Sequence, residues 1–322
     1  MAKSIVVTGA AGFIGRNVVA ELNRRGLDNL LLVDRLGTDD KWKNLQGLRF
    51  EDLIDPDRYL EQIEEEKAGP ADAIIHLGAC STTTERDADY LLRNNYRYTR
   101  VLGQWAAGNK ARFVYASSGQ TYGDGSLGYS DDDSITPTLR QLTMYGYSKQ
   151  MFDLWALGNG LLKQIVGLKY FNVYGPYENH KGDMRSVVHK AYEQIQSTGK
   201  VRLFKSYHPQ YQDGEQKRDF IYVSDAVDVT LYFALENRGI GGLFNCGTGE
   251  ARTWNDLVKA VFSAIGEKPQ IEYVDMPAQL RENYQYFTQA DMIKLRKHGK
   301  YEKPFVTLEQ GVATYVKDHL VK

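Results

Sequence analysis

Gly9-x-x-Gly12-x-x-Gly15 sits between a short apolar run, Ser4-Ile5-Val6-Val7, and a segment whose spacing predicts a helix over residues 13–25, ending near Gly26. Few sequence features narrow the choice of fold as far. A strand that turns directly into a helix through three glycines needs the first for the tight turn. The second lets backbone approach a pyrophosphate, and the third lets helix and strand pack closely. The helix amino terminus adds backbone N–H groups and the positive end of its dipole, a natural seat for phosphate. The next apolar run, Leu30-Leu31-Leu32-Val33, ends at Asp34, about 20 residues beyond the glycines, where such a motif places its ribose-binding acid.

Further along, apolar runs alternate with helical spacing. Leu48-Arg49-Phe50 reads as a short strand leading to Asp52, residues 57–65 as a helix, and Ala73-Ile74-Ile75-His76-Leu77 as a buried strand. Residues 88–108 read as one long helix containing Asn94, Arg112-Phe113-Val114-Tyr115-Ala116 as a strand ending at Ser117-Ser118, residues 145–157 as a helix, and Ile165 to Tyr170 as another strand. This alternation predicts an α/β protein with a doubly wound parallel sheet. Ligand-binding residues then belong at the carboxyl ends of strands, where Asp34, Gly78 and Ser118 fall.

The second half is less regular. His180 to Asp183 reads as a polar loop before a helix over 186–197, and 206–218 as a long loop rich in aromatic and charged residues. A helix over 223–235 has Ser224 or Asp225 as candidate cap, Gly242 to Gly247 looks like one more sheet strand, Thr253 caps a helix to about Ile265, and Thr307-Leu308-Glu309-Gln310 fits a capping box. With no repeat or clear linker, two interleaved lobes are expected. A dinucleotide-binding lobe takes residues 1–171, 219–248 and about 287–298; a smaller α/β substrate lobe takes 172–218, 249–286 and about 299–322.

Tyr145 and Lys149 are spaced i, i+4, which puts phenol and ammonium on one helix face. A tyrosine hydroxyl titrates near ~10 and is a poor base at neutrality, and a nearby cation favours its ionised form. That pairing is the sequence's candidate acid/base. His76 and His180 lack partners at metal-ligand spacing, so no metal site is expected.

Composition closes off other classes. A chain of 322 residues that is 42% apolar and 25% charged is ordinary for a globular protein, and a net charge of -1 gives no reason to expect nucleic acid or membrane binding. Cys80 and Cys246 are far apart in apolar or glycine-rich surroundings, which suggests reduced thiols in a cytoplasmic protein. Met1-Ala2-Lys3 leads straight into the first strand, so no secretory leader is expected.

Taken with His76-Leu77-Gly78-Ala79, Tyr115-Ala116-Ser117-Ser118, Tyr170 to Pro176, Arg218 to Val223 and Phe244-Asn245-x-Gly247, the glycine and tyrosine–lysine motifs resemble the extended short-chain dehydrogenase/reductases over nearly the full length. Within that superfamily, Gly78 to Thr83, Asn94-Asn95-Tyr96, Asn179-His180-Lys181-Gly182, Gln216 to Phe220 and Phe287 to Asp291 are similar to the ADP-L-glycero-D-manno-heptose 6-epimerases.

The resemblance implies an isomerase acting on ADP-heptose in lipopolysaccharide precursor synthesis. It carries a tightly bound, internally recycled nicotinamide and assembles as a homo-oligomer, typically a pentamer. It implies Tyr145 as acid/base, Ser118 on the reacting oxygen, Lys149 beside both, and Lys181 as a second acid/base or a phosphate contact. The cofactor would be met by Gly9, Gly12, Phe13, Ile14, Gly15, Asp34, Arg35, Lys41, Leu77, Gly78, Ala79, Cys80, Ser81, Asn94, Lys149, Val173 and Lys181. The substrate would be met by Ser118, Asn172, Asp183, Lys190, Phe204, Lys205, Ser206, Tyr207, Arg218 and Tyr284. Asp34 by itself favours NAD, whereas Arg35, Lys41 and the resemblance favour NADP, the expected cofactor, with NAD as the alternative. Two departures stand out: Asp55-Pro56 replaces a common lysine after the third strand, and Asp183 a common serine. Another nucleotide-sugar epimerase or reductase is the second reading, and a non-catalytic cofactor sensor the third. A dehydratase fits less well, because Gly119-Gln120 stands where an acidic pair is expected.

Overall fold

The computed structural model describes residues 4–281 and 284–321. Residues 1–3, 282, 283 and 322, which the expected lobes include, lie outside the described residues. In chain order the strands are β1 (Ile5–Thr8), β2 (Leu30–Val33), β3 (Asp52–Ile54), β4 (Ala73–His76), β5 (Arg112–Ser118), β6 (Val166–Tyr170), β7 (Asn172–Tyr174), β8 (Val201–Phe204), β9 (Lys217–Tyr222), β10 (Gly242–Cys246), β11 (Ala251–Thr253) and β12 (Ile271–Val274). A seven-stranded sheet runs β3-β2-β1-β4-β5-β6-β10, every pair parallel. Its order reverses between β1 and β4, and a doubly wound sheet opens its ligand crevice at that switch point.

The strands are short and almost uniformly apolar because both faces are covered. Val7, Leu32, Ile75, Val114 and Leu168 pack on one face against helices α1 (Phe13–Arg24) and, further along, Val223–Leu231. Their alternates Val6, Val33, Ile74, Phe113 and Tyr115 pack on the other face, against α2 (Pro56–Glu64), Tyr98–Gly108 and Met144–Gly158. The period of two along each strand thus divides the core into two layers. Outside this sheet, β7, β9 and β11 form a three-stranded sheet, and β8 pairs in parallel with β12. No helix among the described residues is long and apolar enough to cross a membrane.

Several expectations need correction. Leu48-Arg49-Phe50 is not a strand, because Asn23 on α1 takes both backbone groups of Arg49: Asn23 Nδ2 donates to its carbonyl at 2.8 Å and its N–H donates to Asn23 Oδ1 at 2.7 Å. Pairing resumes at β3. The long helix over 88–108 is present but widens into a π-helical stretch, Leu92–Arg97. Helix Val223–Leu231 starts from Tyr222 without a side-chain cap; Asp225 lies inside its first turn and accepts from the N–H of Val306 at 2.7 Å. His180–Asp183 is not a plain loop but part of a 3₁₀ turn, Asn179–Met184, broken at Gly182 with φ 51°. The loop over 206–218 ends earlier, since Lys217 and Arg218 already belong to β9. Thr253 and Thr307 do head capping boxes, with Asp256 and Gln310.

Candidate active site

At the mouth of β1, Gly9 adopts φ +69° and donates its N–H to the Val33 carbonyl at 2.8 Å. A Cβ on Gly9 would lie 2.6 Å from the Gly78 nitrogen, and one on Gly15 would lie 2.0 Å from the Gly9 carbonyl oxygen. Turn, helix and the β4 loop therefore touch backbone to backbone, which only glycine permits. Gly12 stands at the head of α1 with no side-chain cap, so the helix's first N–H groups face the cleft beyond.

That cleft, about 670 Å³, is lined by Gly9, Gly12, Phe13, Ile14, Gly15, Asp34, Lys41, Leu77, Gly78, Ala79, Cys80 and Ser81 on its dinucleotide side. Ser118, Tyr145, Lys149, Val173 and Lys181 line it further in. Arg35 and Asn94 border an adjoining cavity with Pro56, Tyr90 and Tyr98. The residue types fit a dinucleotide: a helix amino terminus for phosphate, a carboxylate beyond β2 for ribose, and an aromatic recess at the end.

Asp34 is already engaged. Its Oδ2 accepts from the Ala11 N–H at 2.8 Å, and its Oδ1 accepts from the Arg35 N–H at 2.8 Å and from Lys41 Nζ at 2.6 Å. Arg35, by contrast, turns to α2, reaching Asp57 at 2.5 Å and Asp55 at 3.4 Å. Asp55 also caps α2 by accepting from the Asp57 N–H, so the departure noted in the sequence both starts this helix and draws the arginine to it.

Thr143 caps the helix Met144–Gly158 through the N–H of Gly146, and the helix delivers Tyr145 and Lys149 to one face, 9% and 6% exposed. Lys149 Nζ donates to the Ala116 carbonyl at 2.9 Å, and burial lowers its pKa to about 8. Burial raises the Tyr145 phenol, outweighing the Ser118 hydrogen bond that lowers it. The phenol–ammonium pair expected from the spacing is therefore a phenol bound to Ser118 beside a lysine held by backbone. Ser118 Oγ also accepts from the Gln120 N–H at 3.1 Å, which fixes the hydroxyl at the strand end.

Asn95, named in the sequence only within Asn94-Asn95-Tyr96 and given no role there, ties this wall together. Its Oδ1 accepts from the Cys80 N–H at 2.9 Å, and its Nδ2 donates to the Cys80 carbonyl at 3.0 Å and to Ser148 Oγ at 3.0 Å. Ser148 in turn donates to the Tyr145 carbonyl at 2.7 Å. The π-helical turn brings Asn95 here, while Asn94 faces the adjoining cavity and donates to Asn95 Oδ1. His76 sits beneath, between Thr8 (2.6 Å) and Thr99 (2.9 Å); burial lowers its pKa to about 3, so it stays a neutral spacer.

Lys181 lines the same cleft from the turn Asn179–Met184. Its Nζ is 3.7 Å from Glu178 and 5.0 Å from the centre of the Phe13 ring, and burial lowers its pKa against the pull of Glu178. The cleft thus holds two titratable side chains on separate elements, Tyr145 on its helix and Lys181 on the turn after β7.

The sequence model of the NAD dependent epimerase/dehydratase family matches residues 5–247. The chain belongs to that family. It is 54% identical over 316 residues to an ADP-L-glycero-D-manno-heptose-6-epimerase of Nitratidesulfovibrio vulgaris (strain DP4), spanning 98% of this chain and 97% of that protein. It is 45% identical over 328 residues to a protein of the same name from Fusobacterium nucleatum, spanning 99% and 98%. The crystal structure of the Helicobacter pylori ADP-L-glycero-D-manno-heptose-6-epimerase superposes with a TM-score of 0.82 at 26% identity, covering 98% of this chain and 96% of that one.

Apart from Ser118, the expected substrate residues lie outside the main cleft's lining. Arg218 is 7% exposed on β9, and no ion pair is found for it among the described residues. Its guanidinium instead lies 5.6 Å from the Trp254 ring and 5.2 Å from the Tyr284 ring, which are joined by an indole N–H to phenol bond of 3.0 Å. Burial lowers the pKa of Arg218, and its Nη1 donates to the Lys217 carbonyl at 2.8 Å. Phe204 ends β8, and Lys205 and Tyr207 after it both reach Asp275, at 3.2 and 2.9 Å. The Ser206 N–H donates to Asp213. Asn172 is exposed on β7, and the Asp183 carbonyl accepts from Lys190.

Proposed function

We propose that the protein epimerises carbon 6 of the heptose in ADP-D-glycero-D-manno-heptose, giving the L-glycero form by transient oxidation to a ketone and re-reduction. The observation that carries this reading is the meeting, in one dinucleotide-shaped cleft, of Ser118, Tyr145 and Lys149 with Lys181 on a separate element. The identity to relatives of that name supports the substrate.

The inverted carbon bears a hydroxyl and has no neighbouring carbonyl, so its C–H is not acidic and simple deprotonation fails. A nicotinamide dinucleotide held by Gly9, Gly12, Gly15 and Asp34 would supply the missing chemistry, reversible hydride exchange between a carbinol carbon and a carbonyl. Tyr145 takes the hydroxyl proton in one direction and returns it in the other, with Ser118 bonded to the reacting oxygen. Lys149, as ammonium, favours the phenolate and holds the cofactor ribose. After the ketone turns its other face, Lys181 handles the proton on the opposite side. Arg218, flanked by Trp254 and Tyr284, meets the substrate diphosphate. Lys190, Asn172, Asp183 and the segment Phe204-Lys205-Ser206-Tyr207 border the sugar nucleotide.

The family is NAD-dependent by description; the proposed cofactor here is NADP. Lys41, paired with Asp34 at 2.6 Å, supports that reading as a cation beside the expected ribose-binding acid. NAD is the second reading, favoured by the capture of Arg35 by Asp55 and Asp57. A cytoplasmic homo-oligomer, a pentamer by resemblance, completes the proposal, as does the two-lobe division expected from the sequence.

Incubating the purified protein with ADP-D-glycero-D-manno-heptose and no added reductant, and following the epimers by NMR, tests the reading. Approach to a mixture of both epimers is expected. A substrate that stays unchanged in the presence of bound cofactor overturns it in favour of another nucleotide sugar.

A further inference from the structure

Glu178 has no exposed surface, although it lies in the turn that carries Lys181. Its carboxylate collects three donors from two residues. The Ser186 N–H donates to Oε2 at 2.6 Å, the Ser186 hydroxyl to Oε1 at 2.5 Å, and the Tyr315 hydroxyl, from the C-terminal helix Leu308–Tyr315, to Oε1 at 3.1 Å. Lys181 Nζ stands 3.7 Å from Oε2, and the Lys181 N–H donates to the Glu178 carbonyl at 3.0 Å. Residues 178 and 186 are thereby closed into the neck of a loop, and Lys181 leans back from its tip over the closing carboxylate.

This goes beyond simple anchoring. A neutral acceptor would close the same neck, whereas here a charged group lies beside a buried ammonium. The other groups facing Lys181 do not replace it. Lys190 on the helix Val187–Thr198 bears the same charge and opposes it. His180, its chain neighbour, has its pKa lowered by burial and by Lys41 and Lys181. His189 touches Tyr315 at 2.9 Å and Arg185 at 3.1 Å, and burial lowers its pKa as well. Arg185 is drawn to Glu193 at 2.5 Å, and Phe13 offers only its ring.

We propose that Glu178 is a positioning residue for the epimerisation: one carboxylate both clasps the neck of the Lys181 loop and holds the Lys181 charge at the cleft. The proposal rests on the reading of Lys181 as the second acid/base. Removing the charge while keeping an acceptor should therefore leave the loop closed but make Lys181 a weaker base, moving its titration towards lower pH whichever protonation state the reaction uses.

The test compares kcat and KM against pH for wild type, Glu178→Gln, Ser186→Ala and Lys181→Met, with thermal unfolding of each. Lys181→Met should lose one limb of the profile and most of the turnover. Glu178→Gln should keep KM within about twofold, lose about 10–100-fold in kcat, and show that same limb shifted down by about one pH unit. Ser186→Ala, which loosens the neck but keeps the charge, should lower kcat without moving the limb. If Glu178→Gln fails to fold, Glu178→Asp serves instead: it keeps the charge and should keep the limb in place. A Glu178→Gln profile superimposable on wild type, with Lys181→Met inactive, overturns the role of Glu178 alone. Wild-type turnover in Lys181→Met overturns the second acid/base reading itself and the proposal with it.

Discussion

Lys169 and Asp153 form an ion pair at 2.8 Å with side chains 1% and 0% exposed, directly behind the strand that presents Ser118. Asp153 also accepts from Tyr115 at 2.8 Å and Ser117 at 2.7 Å, and Lys169 donates to Thr121 at 2.7 Å. A pair this dry is held because each partner is also hydrogen-bonded to its neighbours, so breaking one side strands the other. Lys169→Met should destabilise the fold by about 3–5 kcal/mol. Combining it with Asp153→Asn, which removes the charge and keeps one acceptor oxygen for Tyr115 or Ser117, should cost less than the two single changes added together. Urea unfolding of the three variants measures that coupling.

Tyr145→Phe removes the hydroxyl bonded to Ser118 and leaves the ring in place. Turnover should fall by about 10²–10⁴-fold while the purified protein still carries its dinucleotide. NMR of the epimer ratio, with chromatography of the released cofactor, reports both.

At Gly15 the sheet and helix leave no room. An added Cβ would sit 2.0 Å from the Gly9 carbonyl oxygen and 2.9 Å from the Ala10 Cα, both backbone atoms. Gly15→Ala should force the turn away from α1, costing about 1–3 kcal/mol and lowering cofactor occupancy. Occupancy of the purified variant and its Tm are the readouts.

The lysine beside Tyr145 gives a signed pH dependence. Its folded pKa is lowered from 10.5 to about 8, so the ammonium needed for catalysis is lost as pH rises through 8. An alkaline limb near that pH is expected in kcat/KM, and Lys149→Arg, always charged, should abolish it. Stability moves the other way. Between about 8 and 10.5 the unfolded chain binds more protons than the folded one at this site, so this contribution rises with pH.

Cofactor choice is open to the same kind of test. Lys41→Met should weaken NADP relative to NAD by about 10-fold, by removing the cation that offsets Asp34. Asp57→Asn should release Arg35 and shift preference towards NADP. Competitive loading with both dinucleotides, followed by chromatography of what stays bound, distinguishes these outcomes.

Much of the architecture was legible because it is written locally. Glycine spacing, the apolar strands and Asp34 each sit within a few residues of what they organise, and the parallel sheet followed from their alternation. What escaped notice depends on groups far apart in sequence. No local pattern shows that Asn23 will claim the backbone of Arg49, or that Glu178 will meet Tyr315 across the molecule. Asn94 and Asn95 stand side by side, and nothing local says which will meet Cys80; Asn95 does, from the wide turn over Leu92–Arg97. Tyr145 and Lys149 were visible as a pair, but how burial sets their charges was not.

That wide turn has an implication for chain length. A π turn holds one residue more than an α turn. Deleting a single residue between Leu92 and Arg97 would let the segment relax into ordinary helix, with Thr99, Leu102 and Ala106 still packed inward as they are now. The molecule would keep its shape yet lose the Asn95 clasp on Cys80. Here, one surplus residue separates a chain that merely folds from one whose cleft wall is braced.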